Sequence, residues 1–136
     1  MLQKTLNFLQ KCGTFYVATT DGNQPRVRPF GLVIEHENKL WFGTANTKEV
    51  YRQLMANPRI EISATSPTME WVRLSGQAVF ESNAEVKRKA FELLPMLANI
   101  YQGSEDPVFE VFYLAEAEAV FQGMGNYGAP PEVGRF

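Results

Sequence analysis

From Thr14 onward the chain is a succession of short β-branched and aromatic runs, each closed by turn residues, and this pattern sets its class. Thr14–Thr20 runs into Asp21-Gly22-Asn23, a strong turn signal. The next run, about Gln24 to Ile34, holds Pro25 and Pro29, which confine it to a sheet edge or a bulged strand. Glu35 to Lys39 reads as a turn and Leu40 to Thr44 as the following strand. Arg59 to Thr65 alternates cleanly, with Ile60, Ile62 and Ala64 on one face and Arg59, Glu61 and Ser63 on the other. After Ser66-Pro67-Thr68 a long strand, about Glu70 to Glu81, turns Val72, Leu74, Ala78 and Phe80 inward, with Gly76 between them. Trp71, Arg73, Ser75 and Gln77 form its other face, where a tryptophan among polar residues points to a partner subunit or a ligand. Val108 to Phe121 is β-rich and breaks near Ala115 into two strands. Six or seven strands joined by hairpin signals, without βαβ alternation, predict a mainly β protein: an antiparallel sheet or barrel.

Three helices flank these strands. Leu2, Leu6 and Leu9 form the stripe of the first, which ends near Gly13. Val50, Tyr51, Leu54 and Met55 mark the second, up to Asn57-Pro58, with Asn46 and Glu49 spaced as a capping pair. Ser82 and Glu85 form a capping box for the third, whose stripe is Val86, Ala90, Leu93 and Leu97, and Pro95 kinks or divides it. Gly103 to Pro107 reads as a loop, and the Gly/Pro-rich tail from Gly123 to Phe136 as extended and flexible.

A chain of 136 residues is expected to form one domain, residues 1–136. Its net charge of −2 argues against a mainly electrostatic nucleic-acid binder, while leaving room for a local basic pocket. Cys12 is the only cysteine, so no internal disulfide can form, and an unpaired thiol suits a reducing cytoplasm. No signal-peptide pattern and no membrane-spanning apolar run is seen. A cytoplasmic location away from membranes is the expectation.

One stretch carries candidate chemistry. Arg26 and Arg28 are two apart on a strand and therefore share a face. Thr44, Thr47 and Lys48 sit where the next strand gives way to a helix, and unpaired N–H groups at a helix start favour an anion. Arginine's planar fork suits phosphate and lysine adds a compact charge. The four residues Arg26, Arg28, Thr47 and Lys48 form a candidate phosphate clamp.

The order of Arg-x-Arg-Pro, Trp-Phe-Gly-Thr, Thr-Lys and Trp-Val-Arg-Leu-Ser-Gly resembles the pyridoxamine 5'-phosphate oxidase-like group, in particular its small nitroimidazole-reductase-like members. The resemblance spans nearly the whole chain. It implies an FMN-binding split β-barrel with flanking helices, as a homodimer with flavin sites in the two clefts between subunits. It also implies that Arg26, Val27, Arg28 and Pro29 line the flavin and its phosphate arm, with Gly43 and Thr44 at the corresponding point of the next strand. Thr47 and Lys48 match the phosphate-binding pair, and Trp71 and Arg73 come from the second subunit to shape the substrate side. The chain departs from the larger oxidases in having Asn46-Thr47-Lys48 where they carry a Ser-Arg-Lys-like run, and Trp71 where they carry a ring-contacting glutamine. It is also short for pyridoxamine phosphate oxidation, and Arg135 is the only basic residue of its tail. The longer anionic tail of a deazaflavin would want more basic residues than this cleft offers.

Other features carry less. Gly123-Met124-Gly125-Asn126-Tyr127-Gly128 spells a dinucleotide fingerprint, but Pro130-Pro131 blocks the helix that such a motif opens. His36, the single histidine, reads as a surface turn residue, which argues against a histidine-rich metal centre or a serine triad. Cys12 reads as packed rather than reactive. No acidic pair stands out, so no catalytic side chain is named; this agrees with a flavin carrying the redox chemistry itself. The expected activity is FMN-dependent transfer of hydride or electrons from a reduced nicotinamide to a small acceptor. The alternative is a non-enzymatic flavin- or haem-binding module, a carrier or sensor, whose haem version lacks an evident axial ligand.

Overall fold

Asp21-Gly22-Asn23 makes the turn its composition predicts, with Gly22 at φ 62° and Asp21 paired to Gln24 across the hairpin. The computed structural model describes all 136 residues. In chain order they form α1 (Leu2–Cys12), β1 (Phe15–Asp21), β2 (Gln24–Phe30), β3 (Ile34–His36), β4 (Lys39–Ala45), α2 (Glu49–Ala56), β5 (Arg59–Thr65) and β6 (Glu70–Phe80). Then follow α3 (Ala84–Leu93), a short 3-10 helix (Pro95–Asn99), β7 (Phe109–Gly123) and β8 (Glu132–Arg135). No helix is long and apolar enough to cross a membrane.

All strand pairs are antiparallel, in the order β2-β1-β5-β6-β7-β4-β3, with β8 added to β7. β2 and β3 therefore end the path and do not pair with each other, although they are consecutive. The barrel is split there. The expected strand over 24–34 is two strands: β2 pairs with β1 and β3 with β4, at opposite ends of the path, and residues 31–33 carry the chain between them.

The larger cluster fills the barrel and draws Leu6 and Leu9 from α1 and Val50 and Leu54 from α2. Phe112 is at its centre, stacked on Phe42 at 5.4 Å and close to Phe80 at 5.0 Å and Phe30 at 6.4 Å. The smaller cluster lies between the outer side of β4 and α3, around Trp41, Val86, Ala90 and Phe109. Successive residues of β4 feed the two clusters alternately, as a strand buried on both faces must.

β7 is continuous, and the break near Ala115 is a bulge. Ser75 pairs with Glu118 but Gln77 with Ala115, so β7 carries one extra residue, and Glu116 adopts φ 53°. The bulge turns Ala117, Ala119 and Phe121 inward on one side and Leu114 and Phe112 on the other. Gly76 lies opposite, where a Cβ would come within 2.7 Å of Leu114 Cγ and 2.8 Å of the Ala115 carbonyl. Gly76→Ala is expected to cost about 1–3 kcal/mol through this overlap, read as a lower urea midpoint at unchanged slope.

Four further expectations change. The tail is docked: Ala117 and Phe136 exchange both backbone hydrogen bonds, Lys4 pairs with Glu132, and Phe136 packs on the barrel core. The added β8 brings the strand count to eight. The cap of α3 is Asn83, whose side chain accepts from the Val86 N–H at 3.1 Å, while Pro95 does divide the helical segment as predicted. His36 is buried, its Nδ1 accepting from Lys89 Nζ at 3.0 Å, because α3 folds over the short β3.

Candidate functional site

Arg26 stands opposite Thr19 and Arg28 opposite Val17, so both arginines lie on the barrel-facing side of β2, as their spacing predicts. Arg28 is half-buried and its guanidinium is fully engaged on one edge. Nη1 donates to Thr19 Oγ1 at 2.7 Å and to the Val17 carbonyl at 3.3 Å, and Nη2 donates to Gln53 Oε1 at 2.6 Å. The Thr19 hydroxyl in turn donates to Gln53 Oε1 at 2.6 Å. Thr19 and Gln53 are each only 3% exposed. All three acceptors are neutral, and no carboxylate forms an ion pair with Arg28. Burial, and after it the charge of Arg26, draws the Arg28 guanidinium below the ordinary arginine range; it remains a cation at neutral pH.

Arg26 is more exposed and reaches Asp21, which also meets Arg52 of α2. Gln53 and Arg52 thus tie α2 to the hairpin that carries the arginines. Gln53 is four residues beyond the first residue of α2, about 6 Å along the helix axis. The start of that helix is therefore about one turn from the partner of Arg28. Lys48 is its N-cap residue in extended conformation, with no side chain capping the first turn. The N–H groups there have no side-chain acceptor, and Thr47 and Lys48 are exposed beside them. Asn46 does not cap: its amide donates to the Pro107 carbonyl and to Glu110, fastening the strand end to the loop before β7.

Thr44 and Gly43 are enclosed. Thr44 faces the barrel interior at 4% exposure, and Gly43 faces the smaller cluster, where a Cβ would come within 2.9 Å of Leu32 and Phe109. They offer backbone rather than side chains. β3 pairs only with Lys39–Trp41, so Phe42–Ala45 have a strand partner on the β7 side alone. This free edge borders the split.

Val27 and Pro29 lie on the opposite, outer face of β2, and so do Trp71 and Arg73 on β6, three strands away. One cross-strand row runs Pro29, Tyr16, Ser63, Arg73, Val120, Val133 over this face. Within the chain Trp71 and Arg73 are therefore not brought to Arg26 and Arg28. The residues that sequence reading missed are Thr19 and Gln53. Gln53 had a signal: it is a polar residue on the buried stripe between Val50 and Leu54. Cys12 is partly buried, which pushes its thiol up, against a smaller opposing effect of Lys11. Gly123–Gly128 opens no helix of a βαβ unit; it makes a short 3-10 turn at Met124–Asn126.

The family model for pyridoxamine 5'-phosphate oxidase matches residues 1–122. Among curated proteins none matches the chain. A NimC/NimA family protein from Clostridium acetobutylicum is 38% identical with a TM-score of 0.90, over 99% of this chain and 93% of that one. General Stress Protein 26 from Bacillus anthracis shares the fold at 15% identity and TM-score 0.79, over 99% and 98% of the two chains. The haem storage protein HutZ from Vibrio cholerae shares it at 16% identity and TM-score 0.67, over 98% and 92%.

Proposed function

Since the chain belongs to the pyridoxamine 5'-phosphate oxidase family, we propose that it binds FMN and transfers hydride or electrons from a reduced nicotinamide to a small acceptor. The observation that carries this reading is Arg28, a half-buried cation without a counter-charge, oriented by Thr19 and Gln53 beside a second arginine. A partly desolvated guanidinium held by neutral acceptors alone favours an anion that completes the site. Arg26, Arg28, Thr47, Lys48 and the uncapped first turn of α2 would hold the phosphate. The free backbone edge at Gly43 and Thr44, with Val27 and Pro29 at the split, would border the ring. Bound FMN would supply the hydride and electron chemistry.

The protomer supplies no aromatic side chain from Trp71 to this cluster, so the reading includes a homodimer. The outer face carries exposed Tyr16, Val27 and Val133 beside half-buried Trp71. A second copy seated there would cover these side chains and bring Trp71 and Arg73 to its partner's site. A cytoplasmic location accompanies this reading, on the ground of the unpaired thiol.

A non-enzymatic flavin or haem carrier is the second reading, favoured by the fold shared with HutZ. The haem form is poorly served, because the one histidine is buried against Lys89. The visible spectrum of the purified protein tests these readings. Blue and near-ultraviolet bands, with FMN released on denaturation, are expected. Oxidation of added reduced nicotinamide by the loaded protein would separate enzyme from carrier. An intense haem band, or a colourless protein that takes up no added FMN, would overturn the flavin reading.

A further inference from the structure

We infer that Gln53, backed by Thr19, is a positioning residue that aims the Arg28 fork at a phosphate while withholding a counter-charge from it. The inference rests on the phosphate reading of this site and assigns it a specificity device on α2. Gln53 occupies a position of the helix stripe where Val50 and Leu54 are buried, and an apolar side chain would be the ordinary occupant. An amide there must recover its lost hydration through hydrogen bonds. Its Oε1 takes two short ones, from Thr19 and Arg28, both at 2.6 Å.

The choice of amide matters. A carboxylate of the same shape would accept the same two donors, and it would also pair with Arg28 and cancel its charge. The amide fixes the fork in one plane and leaves the charge for an outside anion. The contacts engage Nη1 and Nη2, and Nε donates to no protein acceptor. Because Gln53 belongs to α2, the same hydrogen bond couples the arginine strand to the helix whose first turn carries Lys48. Thr19 completes the arrangement, since its hydroxyl accepts from Arg28 and donates to Gln53. Rotation of the amide would break that relay.

The test compares FMN with riboflavin, which lacks the phosphate. Dissociation constants for both are measured on the full chain by flavin fluorescence, for wild type, Gln53→Glu, Thr19→Val and Arg28→Ala, with a melting curve for each. Gln53→Glu is expected to melt no lower than wild type, to bind FMN about tenfold or more weakly, and to bind riboflavin within about twofold of wild type. Thr19→Val, nearly constant in volume, is expected to lower the FMN-to-riboflavin preference about threefold, and it decides the matter should the glutamate variant fail to fold. A merely structural role would lower both affinities together. An unchanged preference in the folded Gln53 or Thr19 variant, with Arg28→Ala losing it, overturns this inference and leaves the flavin reading standing. A wild-type protein that does not prefer FMN to riboflavin overturns both.

Discussion

Replacing Arg28 with alanine is expected to weaken FMN binding by about 100-fold, the largest loss of any single change at the site. A charge-assisted hydrogen bond contributes about 1.5–3 kcal/mol, and this guanidinium is partly removed from water, where the interaction is less screened. Arg26→Ala should cost less, about three- to tenfold, because Arg26 is half-exposed and already shares Asp21. Arg28→Lys should recover only part of the loss, since an ammonium cannot hold Thr19, Gln53 and a phosphate in one plane. The fold should persist in the alanine variant, because Thr19 and Gln53 still bond to each other. Titration with FMN alongside a thermal melt checks all three. Wild-type affinity in Arg28→Ala would place the phosphate elsewhere.

Phe112→Ala is expected to lower stability by about 3–5 kcal/mol, a large part of what a domain of this size possesses. Phe112 is fully buried, and its neighbours come from three other strands: Phe30 on β2, Phe42 on β4 and Phe80 on β6. β2 has only β1 as a strand partner, and Phe30 packs it against Phe112 of β7. The cavity should therefore loosen the arginine strand as well as the core. Urea unfolding measures the stability loss. A change below about 1 kcal/mol would mean that the surrounding phenylalanines close the gap.

Much of the fold could be read locally. Alternation in Arg59–Thr65 assigned its inward and outward residues correctly, because a strand's period of two needs no knowledge of its neighbours. The turn at Asp21-Gly22-Asn23 and the buried positions Leu6, Leu9, Val50, Leu54, Val86 and Ala90 of the helix stripes followed from the same short-range chemistry, whereas Met55 and Leu93, expected on those stripes, are exposed. The shared face of Arg26 and Arg28 and the unusual placement of Trp71 followed from it too. The candidate site was half visible. Its charged residues announced themselves, but Thr19 and Gln53 have ordinary side chains whose role exists only once α2 lies across β1. His36 misled for a similar reason, since a polar residue beside a turn signal reads as exposed until α3 covers it.

The sequence by itself determined which residues share a face, where the chain turns and which side chains bear charge, because periodicity and turn chemistry act over a few residues. Only the tertiary structure decided that β2 and β3 end the sheet and leave it split, and that the tail becomes a strand on β7. It also decided that Asn46 bonds to the loop before β7 rather than capping α2, and that the charge of Arg28 has no carboxylate beside it. Each of these depends on partners far apart along the chain, brought together by burying two apolar clusters on opposite sides of β4.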